Sequence, residues 1–139
     1  MIRLTNLADY AVVVMTAAAK AHDPRLSAGA VSAMTGLPSP TVAKVMGLLA
    51  RGDLLVSTRG VAGGFALARP AGEITVADIV EAIDGPVALT QCVEHSTGCV
   101  LHSGCAVRPH WPLINEAVRE ALAAVTLAEI AGVRQPVEA

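Results

Sequence analysis

Aromatic side chains are almost missing from this sequence: one Phe, one Trp and one Tyr among 139 residues. A core must therefore be built from Ala, Val, Leu and Ile, and the 53% hydrophobic content is ample for one compact domain with an attached arm. Binding of single-stranded nucleic acid by base stacking, which needs exposed rings, is argued against. Long apolar runs are lacking too. The longest near the N-terminus, residues 11–19, falls short of the roughly 20 residues a bilayer requires, and Asp9 rather than a basic cluster precedes it. No signal peptide or membrane segment is expected, and the cytoplasm is the expected compartment. A fourth cysteine and any close cysteine pair are also missing. Three cysteines fit neither a disulfide framework nor a zinc finger or ribbon built from two close pairs.

Acidic charge is scarce in the first half of the chain. Residues 1–70 hold seven Lys/Arg against three acids, Asp9, Asp23 and Asp53, while residues 71–139 hold three against nine. The formal charge of −2 therefore hides a basic half followed by an acidic one. That division suits a module facing DNA joined to one that senses or dimerises.

Thr5 or Asn6 can cap a first helix in which Leu7, Tyr10, Ala11, Val14 and Ala18 follow the helical period, ending before His22-Asp23-Pro24. Asp9 falls near its start, where an acid opposes the positive end of the helix dipole. Ser27 caps a short helix over residues 28–35, and Gly36 suits its left-handed terminator. Ser39 as N-cap and Pro40 as first helical residue begin another, running through Thr41 and Lys44 to Arg51 and stopped by Gly52. Two short helices joined by a tight turn make a helix-turn-helix, whose second helix enters the major groove of double-stranded DNA. Strand-like runs at 54–58 and 65–68 flank Arg59-Gly60-Val61-Ala62-Gly63-Gly64, which gives a hairpin placed as the wing of a winged helix. Ser39, Thr41, Lys44, Arg59, Gly60, Gly63 and Gly64 are the candidate DNA-binding residues. The first three stand on the second helix, and the glycines let backbone approach phosphate while Arg59 supplies charge. The alternative for Ser39, Thr41 and Lys44 is a plain solvated helix face.

Thr75 caps a helix over 76–83 closed by Asp84-Gly85-Pro86, after which periodicity fails. Residues 87–108 form a loop-like stretch holding Cys92, Cys99 and Cys105 within fourteen residues, together with His95 and His102. Thiolates select iron–sulfur clusters or zinc over hard cations, and ligands on an irregular, widely spaced loop suit a cluster, whose irons lie several ångströms apart. Three thiolates leave a fourth position for His95, His102, His110, Asp9, solvent or a small ligand. The rival reading is a metal-free redox switch of low-pKa thiols. A cysteine-nucleophile enzyme would need a positioned base and a substrate pocket, and neither is indicated, so no enzyme and no small-molecule substrate are expected. Beyond Pro109 or Pro112 a long helix carries Ile114, Ala117, Val118, Ala121 and Val125 on one face, read as a dimer interface, with Thr126-Leu127-Ala128-Glu129 able to restart helix as a capping box.

With these features together, the sequence resembles the IscR/NsrR-type bacterial winged-helix regulators, and within them the regulators of SUF-system iron–sulfur assembly. The similarity rests on Leu4-Thr5, Asp9-Tyr10-Ala11, Leu37-Pro38-Ser39-Pro40-Thr41-Val42-Ala43-Lys44, the wing from Arg59 to Phe65, the segment 74–86, the three cysteines, Val107-Arg108-Pro109 and Trp111. The resemblance implies a homodimer crossing its C-terminal helices, with one 2Fe-2S or 4Fe-4S cluster per subunit, repressing or activating promoters according to cluster state. It also implies a fourth ligand from the partner subunit's first helix, at the position of Asp9. Other members place a histidine three residues past the last cysteine; here Arg108 stands there.

The expected fold is mainly α with a small β-hairpin wing: a winged helix-turn-helix over 1–86, a cysteine-bearing loop over 87–108, a C-terminal dimerisation helix over 109–131 and a flexible tail over 132–139. The expected function is that of an iron–sulfur-dependent repressor of SUF genes sensing iron or oxidative and nitrosative status. The alternative is a metal-free thiol switch or a zinc-stabilised winged-helix transcription factor.

Overall fold

Hydroxyl side chains set four of the six α-helix starts among the described residues of the computed structural model, which describes residues 1–61, 63–94, 98–101 and 104–133. Thr5 Oγ1 accepts from Ala8 N and opens α1 (Asn6–Lys20); Ser27 Oγ accepts from Ala30 N and opens α2 (Ala28–Thr35), which ends on left-handed Gly36. α3 (Ser39–Arg51) departs from expectation by one residue. Its N-cap is Pro38, whose carbonyl accepts from Val42 N at 3.0 Å, so Ser39 is the first helical residue and its hydroxyl does not cap.

α1 runs through the centre of the domain. Ala11, Val14 and Met15 are fully buried, and the helix packs against α2, α3, α4 (Val76–Asp84) and α6 (Leu127–Ala131). The other main core residues are Val31 from α2, Val42, Val45, Met46 and Leu49 from α3, and Ile74, Ile79 and Leu127. As the composition requires, aliphatics and methionine fill it.

Gly52 terminates α3 for a reason other than backbone freedom. The left-handed residue is Asp53 (φ 61), and Leu54 N closes the turn onto Leu49 O at 3.0 Å. Gly52 is needed because a Cβ there would stand 2.7 Å from the Ala82 Cβ of α4. The missing side chain thus sets how closely α3 and α4 approach.

β1 (Leu55–Thr58) and β2 (Gly64–Leu67) pair antiparallel with Leu55 opposite Leu67 and Thr58 opposite Gly64. Leu26 adds a third, one-residue rung, exchanging two 2.8 Å backbone bonds with Phe65. The wing is thereby tied to the segment between α1 and α2. Ala62 lies outside the described residues.

The arm expected as a dimerisation helix over 109–131, with a restart offered by Thr126, divides into separate elements. A turn of 3-10 helix at Arg108–His110 leads into α5 (Trp111–Ala123), and α6 follows as a separate element. Thr126 makes a full capping box with Glu129, which restarts the helix as a separate element. α6 buries Leu127, Ala128 and Ala131 and packs on α1, so it belongs to the core rather than to the arm. Thr75, itself boxed with Asp78, bridges antiparallel to Thr126. Of the expected tail, residues 134–139 lie outside the described residues. Among the described residues no helix is long and apolar enough to cross a membrane.

Candidate functional site

The turn between α2 and α3 is locked by side chains. Ser32 Oγ donates to Leu37 O at 2.6 Å, and Thr35 Oγ1 accepts from Leu37 N at 3.2 Å. α3 therefore has a fixed attitude, with Val42, Val45, Met46 and Leu49 inward and Ser39, Pro40, Ala43, Lys44 and Arg51 exposed. Thr41 is half-buried. In the wing Arg59 and Gly60 are exposed, while Gly63 and Gly64 are half-buried and answer to the fold itself. A Cβ on Gly63 would strike Thr58 O and come within 2.8 Å of Gly60 O; one on Gly64 would meet Leu26 O at 2.9 Å. The two hairpin glycines shape the wing, and Arg59 and Gly60 form its outer surface.

The second half of the site is a cavity of about 290 Å³. Cys92, Cys99 and Cys105 all line it, each half-buried and free, beside Leu101, Val107 and Trp111. Thr90, Gln91 and Arg108 are its polar residues. The entry to this loop is pinned by Asn115 of α5, the one buried polar side chain among the described residues. Its amide donates to Val87 O at 2.7 Å and accepts from Leu89 N at 2.8 Å. Thr90 Oγ1 then lies 3.1 Å from Cys92 Sγ.

Among the described residues no three His, Cys, Asp or Glu side chains stand close enough to hold one metal ion. Three thiols spread around one cavity suit a cluster of several atoms better than a lone zinc, since the irons of a cluster are themselves ångströms apart. In donor chemistry, the three thiols lining one cavity fit such a group.

Asp9 is exposed in the first turn of α1 and is not among the residues lining the cavity of its own chain; neither is His110. His95 and His102 lie outside the described residues. Sequence reasoning missed Thr90 and Asn115. For Asn115 the available signal was an isolated Asn at helical spacing from Val118 and Leu122.

A helix-turn-helix with an anchored wing, joined to a three-thiol cavity, defines a winged-helix DNA-binding transcriptional regulator. Residues 4–132 match the Rrf2 family model, described as iron-dependent transcriptional regulator, and the chain belongs to that family. It is 32% identical over 133 residues to a helix-turn-helix transcriptional regulator of Mycobacterium tuberculosis, the match covering 94% of this chain and 81% of the relative. It is 29% identical over 129 residues to the transcriptional regulator IscR of Xenorhabdus nematophila, covering 92% and 78%. Among solved structures it is similar to CymR, the global cysteine regulator of B. subtilis, with a TM-score of 0.75 and 25% identity over 97% of this chain and 100% of that one. The family and these relatives are transcriptional regulators, not enzymes, and this chain is a regulator of the same kind.

Proposed function

We propose that the chain is a cytoplasmic, homodimeric repressor of iron–sulfur assembly (SUF) genes whose cysteine cavity carries a 2Fe-2S or 4Fe-4S cluster. The observation that carries this reading is the convergence of Cys92, Cys99 and Cys105 on one cavity. The family description as iron-dependent supports it further.

Cys92, Cys99 and Cys105 supply three thiolates, and Asp9 of the partner subunit supplies the fourth ligand. Leu101, Val107 and Trp111 line the cavity with apolar surface and limit water. When bound, the cluster supplies a redox-active, oxidant-sensitive centre whose presence reports iron and oxidative or nitrosative status. Ser39, Thr41 and Lys44 meet promoter DNA in the major groove, and Arg59 and Gly60 meet the backbone beside it. The face of α5 carrying Ile114, Ala117, Val118 and Ala121, with exposed Leu113 beside it and Val125 just beyond the helix, forms the dimer contact.

Anaerobic purification and reconstitution test this directly. Iron, sulfide and visible absorbance should appear together in the wild type and fall in Cys92→Ala, and footprints on a SUF promoter should differ between loaded and cluster-free protein. Colourless, iron-free protein after reconstitution would remove the cluster. A second reading, a thiol switch without metal, is favoured by the same three free thiols around one cavity. Native mass spectrometry separates the two, since a disulfide lowers the mass by two hydrogens and a cluster raises it.

A further inference from the structure

The segment that carries Cys92 is built in two fixed steps. Asn115 grips the backbone on both sides of Ala88 through Val87 O and Leu89 N, so the chain enters the cavity from a set position. Thr90, the next residue, lines the cavity and is half-buried, and its Oγ1 lies 3.1 Å from Cys92 Sγ. Between two neutral groups either atom could donate. A thiolate can only accept, so once Cys92 is a ligand the hydroxyl must be the donor. The β-branch of Thr restricts χ1, which keeps that hydroxyl aimed at the sulfur.

We infer that Thr90 is a positioning residue for the Cys92 sulfur, donating its O–H to the thiolate, so that it fixes the ligand's direction and tunes the bound centre. This rests on the reading that the cavity carries an iron–sulfur cluster. Hydrogen bonds to ligand sulfur are among the levers that set cluster potential, and a donor favours the more negative, reduced state. Residues that orient a ligand in this way are worth about 10- to 100-fold in metal retention. Thr90 thus sets the threshold at which the site is reduced or lost, without touching iron itself.

The test compares wild type, Thr90→Val, Thr90→Ala and Thr90→Ser after anaerobic reconstitution, with circular dichroism as the fold check. Midpoint potential is read by redox titration of the visible bands, and retention by the rate of bleaching under excess EDTA. Val, or Ala should Val unfold, is expected to lower the potential, shift the sulfur-to-iron charge-transfer bands and bleach about tenfold faster. Ser, which keeps the donor but not the β-branch, should move all three back toward wild type. A folded Val or Ala variant matching wild type in potential and bleaching rate overturns the role of Thr90 and leaves the cluster reading standing. A wild type that takes up no cluster overturns both.

Discussion

Arg119 Nε of α5 donates to Glu81 Oε1 of α4 at 2.7 Å, joining the helix that walls the cysteine cavity to the helix packed on α3. On the same face of α4, Gly52 sits against Ala82, and Arg69 at the exit of the wing reaches Asp78 at 3.8 Å. α4 therefore touches α3, the exit of the wing and α5. The Arg119 and Glu81 side chains are 40% and 21% exposed, so Glu81→Gln should cost less than about 1 kcal/mol of stability. Its expected effect is on communication: the ratio of DNA affinities between loaded and cluster-free protein, measured by fluorescence anisotropy, should shrink severalfold. A variant with the wild-type ratio would show that the pair does not transmit.

Asn115→Leu should destabilise the chain by about 2–3 kcal/mol, because Val87 O and Leu89 N would lose their partner in a partly buried place. Urea unfolding measures the loss. Limited proteolysis should at the same time cut faster near residues 87–92, whereas unchanged cleavage would mean that the loop has other anchors.

Two glycines should respond to alanine in opposite senses. Gly63→Ala drives a Cβ onto Thr58 O, so the wing must deform at about 1–3 kcal/mol, with weaker DNA binding in a gel-shift assay. Gly47, inside α3, has open space around the position a Cβ would take, with nothing within 4 Å, and Gly47→Ala should raise stability by about 0.5–1 kcal/mol in thermal unfolding.

Lys44→Ala and Arg59→Ala remove exposed cations from α3 and the wing. Each phosphate left without its cation should lower the slope of log affinity against log salt by about one, with weaker binding at every salt concentration. Affinity and slope retained by both variants would move the interface elsewhere.

Leu113 is 74% and Ile114 46% exposed on α5, with Val125 at 39% further along. Leu113→Glu is expected to give a monomer in sedimentation velocity with unfolding close to wild type, since the side chain is not part of the core. A variant that remains dimeric would place the contact on another face.

Where a hydroxyl side chain meets a helix start, the fold was legible in the sequence. Thr5, Ser27, Thr75 and Thr126 all cap as their local pattern implies, because the bonds span only three residues. Ser39 misled by one place because the Pro38 carbonyl takes the first helical bond, a choice between adjacent backbone groups that composition does not reveal. In the C-terminal arm the Thr126 restart was legible as a capping box, but the apolar period through Val125 hid that the helix beyond it packs on α1 through Leu127. The cysteine cavity was visible in the crowding of three thiols into one loop. Asn115 was not, because its partners lie 26 and 28 residues away and nothing local marks them. Asp9 is not among the residues lining the cavity of its own chain, so the ligand role proposed for it requires a second subunit.

The bridge between Thr75 and Thr126 makes everything from 76 to 125 a closed excursion: the chain departs and returns at one doorway, its two ends held about one strand spacing apart. The cysteine loop and α5 hang within that excursion, between two capped helix starts that both belong to the core. In engineering terms this is a socket. A segment of different length between the end of α4 and Thr126 would leave that bridge in place, and whatever it carries would bear on α4 and α6 together.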